Sequence, residues 1–259
     1  MLDRTCVIAV CGKGGVGKTS MSAMIIRELL QNPESKVLAI DADPAVGLAS
    51  ALGMIAGRTV DDIRNDLICR MENGQVTDKV ETLAMLDYDM VSALEESKNL
   101  AFMAIGRPEK EGCYCQVNHL LKEIICAMAE NFDFVVIDGE AGIEQVNRRV
   151  MANVTHLVLV SDGSVKGLNV AKTIRAVADN AIAFEYAGLV VNRIREAAEI
   201  AELRLPRELH HAGWIPEDDV IRKADMAGDS ILNIADCRAT ASVRNCLVNI
   251  FDHRKEGGA

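Results

Sequence analysis

The chain lacks any run of about 18 consecutive apolar residues, so no segment of its 259 residues reads as a transmembrane helix. It also lacks an excess of positive charge. With 28 Lys and Arg against 38 Asp and Glu, the net charge of −10 argues against non-specific nucleic-acid binding, which depends on a basic footprint. Met1-Leu2-Asp3-Arg4 passes straight into a strand-like segment, with neither a basic leader nor a small-residue cleavage site, so a reducing, cytoplasmic setting is expected. Internal repeats and low-complexity tracts are absent, and only Lys255-Glu256-Gly257-Gly258-Ala259 reads as a disordered tail.

Eight cysteines in such a setting suggest metal or thiol chemistry more than disulfides. Cys6, Cys69, Cys126, Cys237 and Cys246 lie within apolar or helical patterns, where a buried inert thiol is expected. Cys113 and Cys115 are different. They sit one residue apart in Gly106-Arg107-Pro108-Glu109-Lys110-Glu111-Gly112-Cys113-Tyr114-Cys115, a Gly/Pro-rich loop ahead of a helical run from Asn118 to Asn131.

Short apolar runs alternate with amphipathic segments: Thr5–Val10, Lys36–Ile40, Leu100–Ile105, Phe134–Ile137, His156–Val160, Gly188–Val191 and Ala212–Ile215. Near-continuous Val/Ile/Leu strands of this kind predict an α/β fold, a doubly wound and mostly parallel sheet covered by helices on both faces. The length suits one domain over residues 1–259, with a helical insertion around 53–99. Within it Thr59-Val60-Asp61-Asp62 has the form of an N-cap with an acidic first turn, and Asn73-Gly74 that of a stop. Glu196 to Glu208 reads as a solvated helix, and Val243, Leu247, Val248 and Phe251 as the packing side of a last helix.

The most specific chemistry lies in Gly12-Lys13-Gly14-Gly15-Val16-Gly17-Lys18-Thr19, between the first strand and a helical pattern carrying Met21, Met24, Ile25 and Leu29. A Gly-x4-Gly-Lys-Thr loop in that setting cradles phosphates with backbone N–H groups at a helix N-terminus. Lys18 is expected to meet the outer phosphates, Thr19 to hold Mg2+, and the stretch from Gly12 through Ser20 to contact the nucleotide. Two acidic clusters end strands: Asp41-Ala42-Asp43-Pro44 and Asp138-Gly139-Glu140-Ala141-Gly142. Carboxylates placed there can hold the waters of a magnesium ion and orient an attacking water.

Lys13, at the start of the loop, resembles the signature of the deviant Walker A class of P-loop ATPases, which includes nitrogenase iron protein, Min and ParA ATPases and metal-insertion ATPases. The resemblance implies that Lys13 reaches into a partner subunit's nucleotide, so that ATP is sandwiched in a homodimer. It further implies that Asp43 positions the hydrolytic water, that Asp41 and Asp138 serve the outer shell of Mg2+, and that the Gly142 N–H senses the γ-phosphate. Glu140 stands where relatives often have proline and is given no role. Val191-Asn192-Arg193 and Ile215-Pro216-Glu217-Asp218-Asp219-Val220 resemble the base-binding elements, placing Asn192, Arg193, Pro216 and Glu217 at the base. The Asn-Lys-x-Asp signature of guanine-specific proteins is missing, which favours ATP over GTP.

One Cys-x-Cys pair supplies half of a four-thiolate set, and a twofold-related chain would supply the rest. Gly112-Cys113-Tyr114-Cys115 resembles the nickel-insertion ATPases of carbon monoxide dehydrogenase and their acetyl-CoA synthase relatives. That resemblance implies nickel or zinc held by Cys113 and Cys115 across a dimer formed on ATP or metal binding. It also implies a client metalloenzyme, while the acidic balance and the packing side of the last helix argue against a nucleic-acid or membrane partner. His119 is read as a helix-surface residue, with an auxiliary ligand role as the alternative. Two competing readings are a Min/ParA-type positioning ATPase and an iron-protein-like reductase. The latter lacks a cluster ligand, since no cysteine follows Asp138 until Cys237.

Overall fold

A computed structural model describes residues 4–75, 79–107, 115–139, 146, 150 and 154–252. Among the described residues eight strands form one sheet: β1 (Cys6–Gly12), β2 (Val37–Asp41), β3 (Glu95–Ser97), β4 (Leu100–Ala104), β5 (Phe134–Asp138), β6 (His156–Ser161), β7 (Tyr186–Ile194) and β8 (His210–Pro216). Their spatial order is β3-β4-β2-β5-β1-β6-β7-β8, parallel except for β3, which runs antiparallel to β4. All seven expected strands are present. The eighth, β3, carries Glu-Glu-Ser on an edge and has no apolar alternation to announce it.

Among the described residues the helices are α1 (Lys18–Leu29), α2 (Gly47–Leu52), α3 (Val60–Glu72), α4 (Lys79–Ser92), α5 (Cys115–Ala129), α6 (Val165–Ala181), α7 (Ala197–Glu202), α8 (Asp219–Ala227) and α9 (Arg238–Asp252). β1, β2 and β6 are buried on both faces, which is why they are apolar along nearly their whole length rather than at alternate positions. Along β1, Val7, Ala9 and Cys11 pack in the core with α3, α4, α5 and α6, while Cys6, Ile8 and Val10 pack in the core with α1, α2 and α9.

Thr59 caps α3 as its sequence suggested. Its hydroxyl accepts the Asp62 N–H (3.1 Å) and the Asp62 carboxylate accepts the Thr59 N–H (2.8 Å), a reciprocal box that satisfies two orphan donors. Val60, Ile63, Leu67, Leu86 and Met90 bring α3 and α4 into the main core. On α9, Val243, Cys246, Leu247 and Ile250 face inward, whereas Val248, expected on that side, is 53% exposed. Cys6 and Cys246 are buried as expected. Cys69 instead faces solvent, because Ile68 and Leu67 take the inner face of α3 that it would have needed, and Cys126 and Cys237 are half-buried. Among the described residues no helix is long and apolar enough to cross a membrane.

Candidate nucleotide-binding site

Parallel pairing brings the carboxyl ends of β1, β2, β5, β6, β7 and β8 to one edge, where ligands of open α/β sheets bind. Gly12 ends β1 against β6. A Cβ there would lie 2.2 Å from the Val160 carbonyl oxygen, so only glycine fits as the chain leaves the sheet. Gly17, with φ of 91°, turns the loop into α1 as its N-cap. The Lys18 ammonium is almost fully buried and donates to the Lys13 carbonyl at 3.4 Å, which lays its side chain back across the loop. The first turn of α1 thus begins at the loop, its free N–H groups and positive dipole end at the place where phosphate oxygens are bound in such loops.

Asp41 and Asp138 are register partners on adjacent parallel strands, both wholly buried. Each oxygen of Asp41 accepts a backbone N–H: Oδ1 from Asp43 (3.0 Å) and Oδ2 from Leu48 (2.8 Å). Those bonds shape the turn that carries Asp43, whose own Oδ1 accepts the Ala45 N–H at 2.9 Å. Asp138 Oδ1 accepts the Ser22 hydroxyl at 3.1 Å, while Oδ2 is buried without a hydrogen-bond partner. Burial pushes the Asp41 carboxyl up to about 7, against the pull of the Leu48 N–H, with the Asp138 charge adding to the rise. Burial likewise pushes Asp138 up to about 6, opposed by the nearby Thr19 and Ser22 hydroxyls and by the Lys18 charge. Two carboxylates held this close with one oxygen unsatisfied beside the Thr19 hydroxyl form an oxygen-donor set suited to hydrated Mg2+.

Lys13 lies 3.7 Å from Asp162 Oδ2, with both side chains about a third exposed. The Ser164 hydroxyl donates to Asp162 Oδ1 at 2.6 Å and holds its carboxyl below the usual range, aided by Lys13. Asp162 was missed in the sequence. Its signal was there, since Ser161-Asp162-Gly163-Ser164 puts a carboxylate just past the end of the strand beside β1.

On the other side of the loop lies a cleft of about 210 Å3, lined by Gly17, Ser20, Asn192, Arg193, Pro216 and Glu217 among others. Every residue expected near the base therefore meets two loop residues in one space. The Glu217 N–H donates to the Ile194 carbonyl (2.8 Å), joining the ends of β7 and β8. Asp218 caps α8 through the Val220 N–H (2.9 Å) and also accepts the Ala239 N–H (3.1 Å), which ties the wall of the cleft to α9. Met24, Ile221, Arg222, Asp225 and Ala239 also line it and were not expected.

Glu140, Gly142 and Cys113 lie outside the described residues, and Cys115 enters only as the first position of α5. The start of α5 is fixed to α3 by the buried Arg64, whose Nε donates to Asn118 Oδ1 at 2.8 Å. His119 is exposed and pairs with Glu123 one turn on, at 3.3 Å. Among the described residues no group of three or more His, Cys, Asp or Glu side chains is placed to hold a metal ion directly.

Residues 7–231 match the family described as the CobQ/CobB/MinD/ParA nucleotide binding domain. The chain is 35% identical over 231 residues to an uncharacterized ATP-binding protein of Methanocaldococcus jannaschii, covering 88% of this chain and 91% of that one. It is 29% identical over 246 residues to the carbon monoxide dehydrogenase accessory protein CooC of Rhodospirillum rubrum, covering 90% and 92% respectively. In fold it is similar to the septum site-determining protein MinD of Pyrococcus horikoshii, solved with Mg-ADP. There the TM-score is 0.65 at 21% identity, covering 98% of this chain and 99% of that one.

Proposed function

The chain belongs to the CobQ/CobB/MinD/ParA nucleotide-binding family, and from that premise we propose that it is an ATP-hydrolysing, nucleotide-dependent homodimer of the cytoplasm that serves metallocentre assembly. The observation that carries the ATPase reading is the buried Asp41–Asp138 pair, with its one unsatisfied oxygen, beside Lys18 and Thr19. In this reading Lys18 meets the outer phosphates and Thr19 holds Mg2+, with Asp41 and Asp138 acting through its waters. Bound Mg2+ would neutralise charge on the β- and γ-phosphate oxygens. Asp43, on the turn shaped by Asp41, orients the attacking water, and Lys13 reaches across the dimer. Asn192, Arg193, Pro216 and Glu217 receive the adenine.

Metal handling rests on Cys113 and Cys115 at the head of α5, together with the 29% identity to CooC. The cargo is a nickel or zinc ion shared by four thiolates of two chains, and the client is carbon monoxide dehydrogenase or acetyl-CoA synthase. Four-coordinate thiolate binding gives one metal per two chains. Metal analysis with analytical ultracentrifugation, on wild type and on the chain with Cys113→Ala and Cys115→Ala, tests this. The double variant should lose metal-induced dimerisation and client loading while still binding ATP. One metal per monomeric wild-type chain would contradict the shared site.

A second reading, a Min/ParA-type positioning ATPase, draws on the family's own description and shares every nucleotide motif. ATP-dependent co-sedimentation with liposomes or DNA would favour it. On this chain α9 packs inward through Val243, Cys246, Leu247 and Ile250 and presents no lysine-rich face, which supports the metallocentre reading over a membrane one.

A further inference from the structure

Asn192 stands at an irregularity in the sheet. Between Val191 and Ile194 the β7–β8 register shifts, and Arg193 adopts a left-handed backbone with φ of 61°. Bulges of this kind re-aim a side chain away from the direction the strand would give it. Here the re-aimed group is the Asn192 amide, which is 6% exposed. Its Oδ1 accepts the Arg193 N–H at 2.9 Å, and its Nδ2 donates to the Val16 carbonyl at 2.9 Å. One partner is an obligate donor and the other an obligate acceptor, so the amide's orientation is fixed by chemistry.

The Val16 carbonyl belongs to the peptide that enters Gly17. A trans peptide is planar, with its C=O and N–H pointing in opposite directions. Anchoring the Val16 oxygen to Asn192 therefore aims the Gly17 N–H away from Asn192, as a phosphate-binding loop requires of its donors. The fit is tight. A Cβ on Gly17 would lie 2.5 Å from Asn192 Nδ2 and 4.0 Å from Arg193 Nε.

We propose that Asn192 is a positioning residue of the phosphate loop: the β7 bulge turns its amide onto the Val16 carbonyl and so presets the Gly17 peptide for phosphate. The inference rests on the nucleotide reading above but assigns Asn192 a task that needs no base. One amide hydrogen stays available to the cleft, so base contact and loop support coexist in one side chain.

A ligand without a base separates the two tasks. Calorimetry would compare Mg-ATP with Mg-tripolyphosphate on wild type, Asn192→Ala and Asn192→Asp. Asn192→Asp keeps the acceptor for the Arg193 N–H but sets an oxygen against the Val16 carbonyl; Asn192→Ala removes both bonds without adding charge. Each variant should bind tripolyphosphate about tenfold more weakly, the worth of one buried hydrogen bond, and ATP more weakly by at least that factor, since the ATP arm loses the base contact as well. Amide exchange over residues 13–19 should also quicken in the ligand-free variants, while exchange in α9 stays as in wild type. If tripolyphosphate affinity is unchanged, whether or not that for ATP falls, the loop role is overturned. Should Asn192→Ala fail to fold, the near-isosteric Asn192→Asp carries the same comparison. A wild-type chain that binds neither ligand would instead sink the nucleotide reading itself.

Discussion

Replacing Asp138 by Asn should stabilise the ligand-free protein at neutral pH and abolish its response to Mg-ATP. Asp138 is 1% exposed, shares its register position with Asp41 and leaves Oδ2 without a partner. Burial raises its carboxyl from 3.8 to about 6 in the folded state. A carboxyl that holds its proton more tightly when folded favours folding fully below the unfolded value near 3.8, and that advantage is lost as pH rises through about 6. At about 1.4 kcal/mol per pKa unit, the charged form costs roughly 3 kcal/mol of folding stability above that range. A domain of this size gains about 2–4 °C in melting temperature per kcal/mol. About half of that penalty sets in between pH 5 and pH 8, so the wild type melted without ligand over that range should fall behind Asp138→Asn by about 3–6 °C. Acid effects away from this pair are common to both curves and drop out of the difference, while Asp41, whose carboxyl the Asp138 charge pushes up, adds to it in the same direction. Saturating Mg-ATP should then raise the melting temperature of wild type strongly at pH 8 and that of the variant little. Parallel curves over the whole range, or an equal Mg-ATP response, would refute the claim that a buried, under-satisfied carboxylate is held ready for magnesium.

Lys18→Ala should abolish ATP binding in calorimetry, since it removes the buried ammonium that lies across the loop. Lys13→Ala should leave ATP affinity near that of wild type but cut turnover by on the order of 10³-fold and prevent ATP-driven dimerisation, as loss of a cation supplied in trans would. Phosphate release together with sedimentation checks both effects, and full turnover would remove the case for a role across the dimer. Asp43→Asn should slow hydrolysis while leaving the phosphate loop intact, so that size-exclusion chromatography with ATP shows a dimer outlasting the wild-type one. Normal hydrolysis in that variant would move the catalytic assignment to Asp41.

Much of this architecture is legible in the sequence because two strong signals coincide. Strands covered on both faces must be apolar throughout, so Val37–Asp41 and Phe134–Asp138 stand out as runs, and the acid closing each run marks its carboxyl end. The glycine loop needs no tertiary context, since its spacing encodes its own turn. What stayed hidden depends on contacts that spacing does not carry. β3 is three polar residues paired only at an edge, and Cys69 is turned outward by the helical phase of its neighbours. Asp162 becomes part of the site only because β6 lies next to β1, a neighbour relation set by sheet order and not by distance along the chain.

The same dependence explains Asn192. In one dimension it is a polar residue near the end of a strand, well placed for a base edge and nothing more. Its second task appears only when the β7–β8 bulge and the left-handed Arg193 turn its amide onto a carbonyl 176 residues earlier in the chain. A base-binding segment that also braces the phosphate loop joins recognition of the two ends of one ligand. The loop is set before the ligand arrives and the same side chain then meets the base, so one residue prepares both ends of the site for a single ligand.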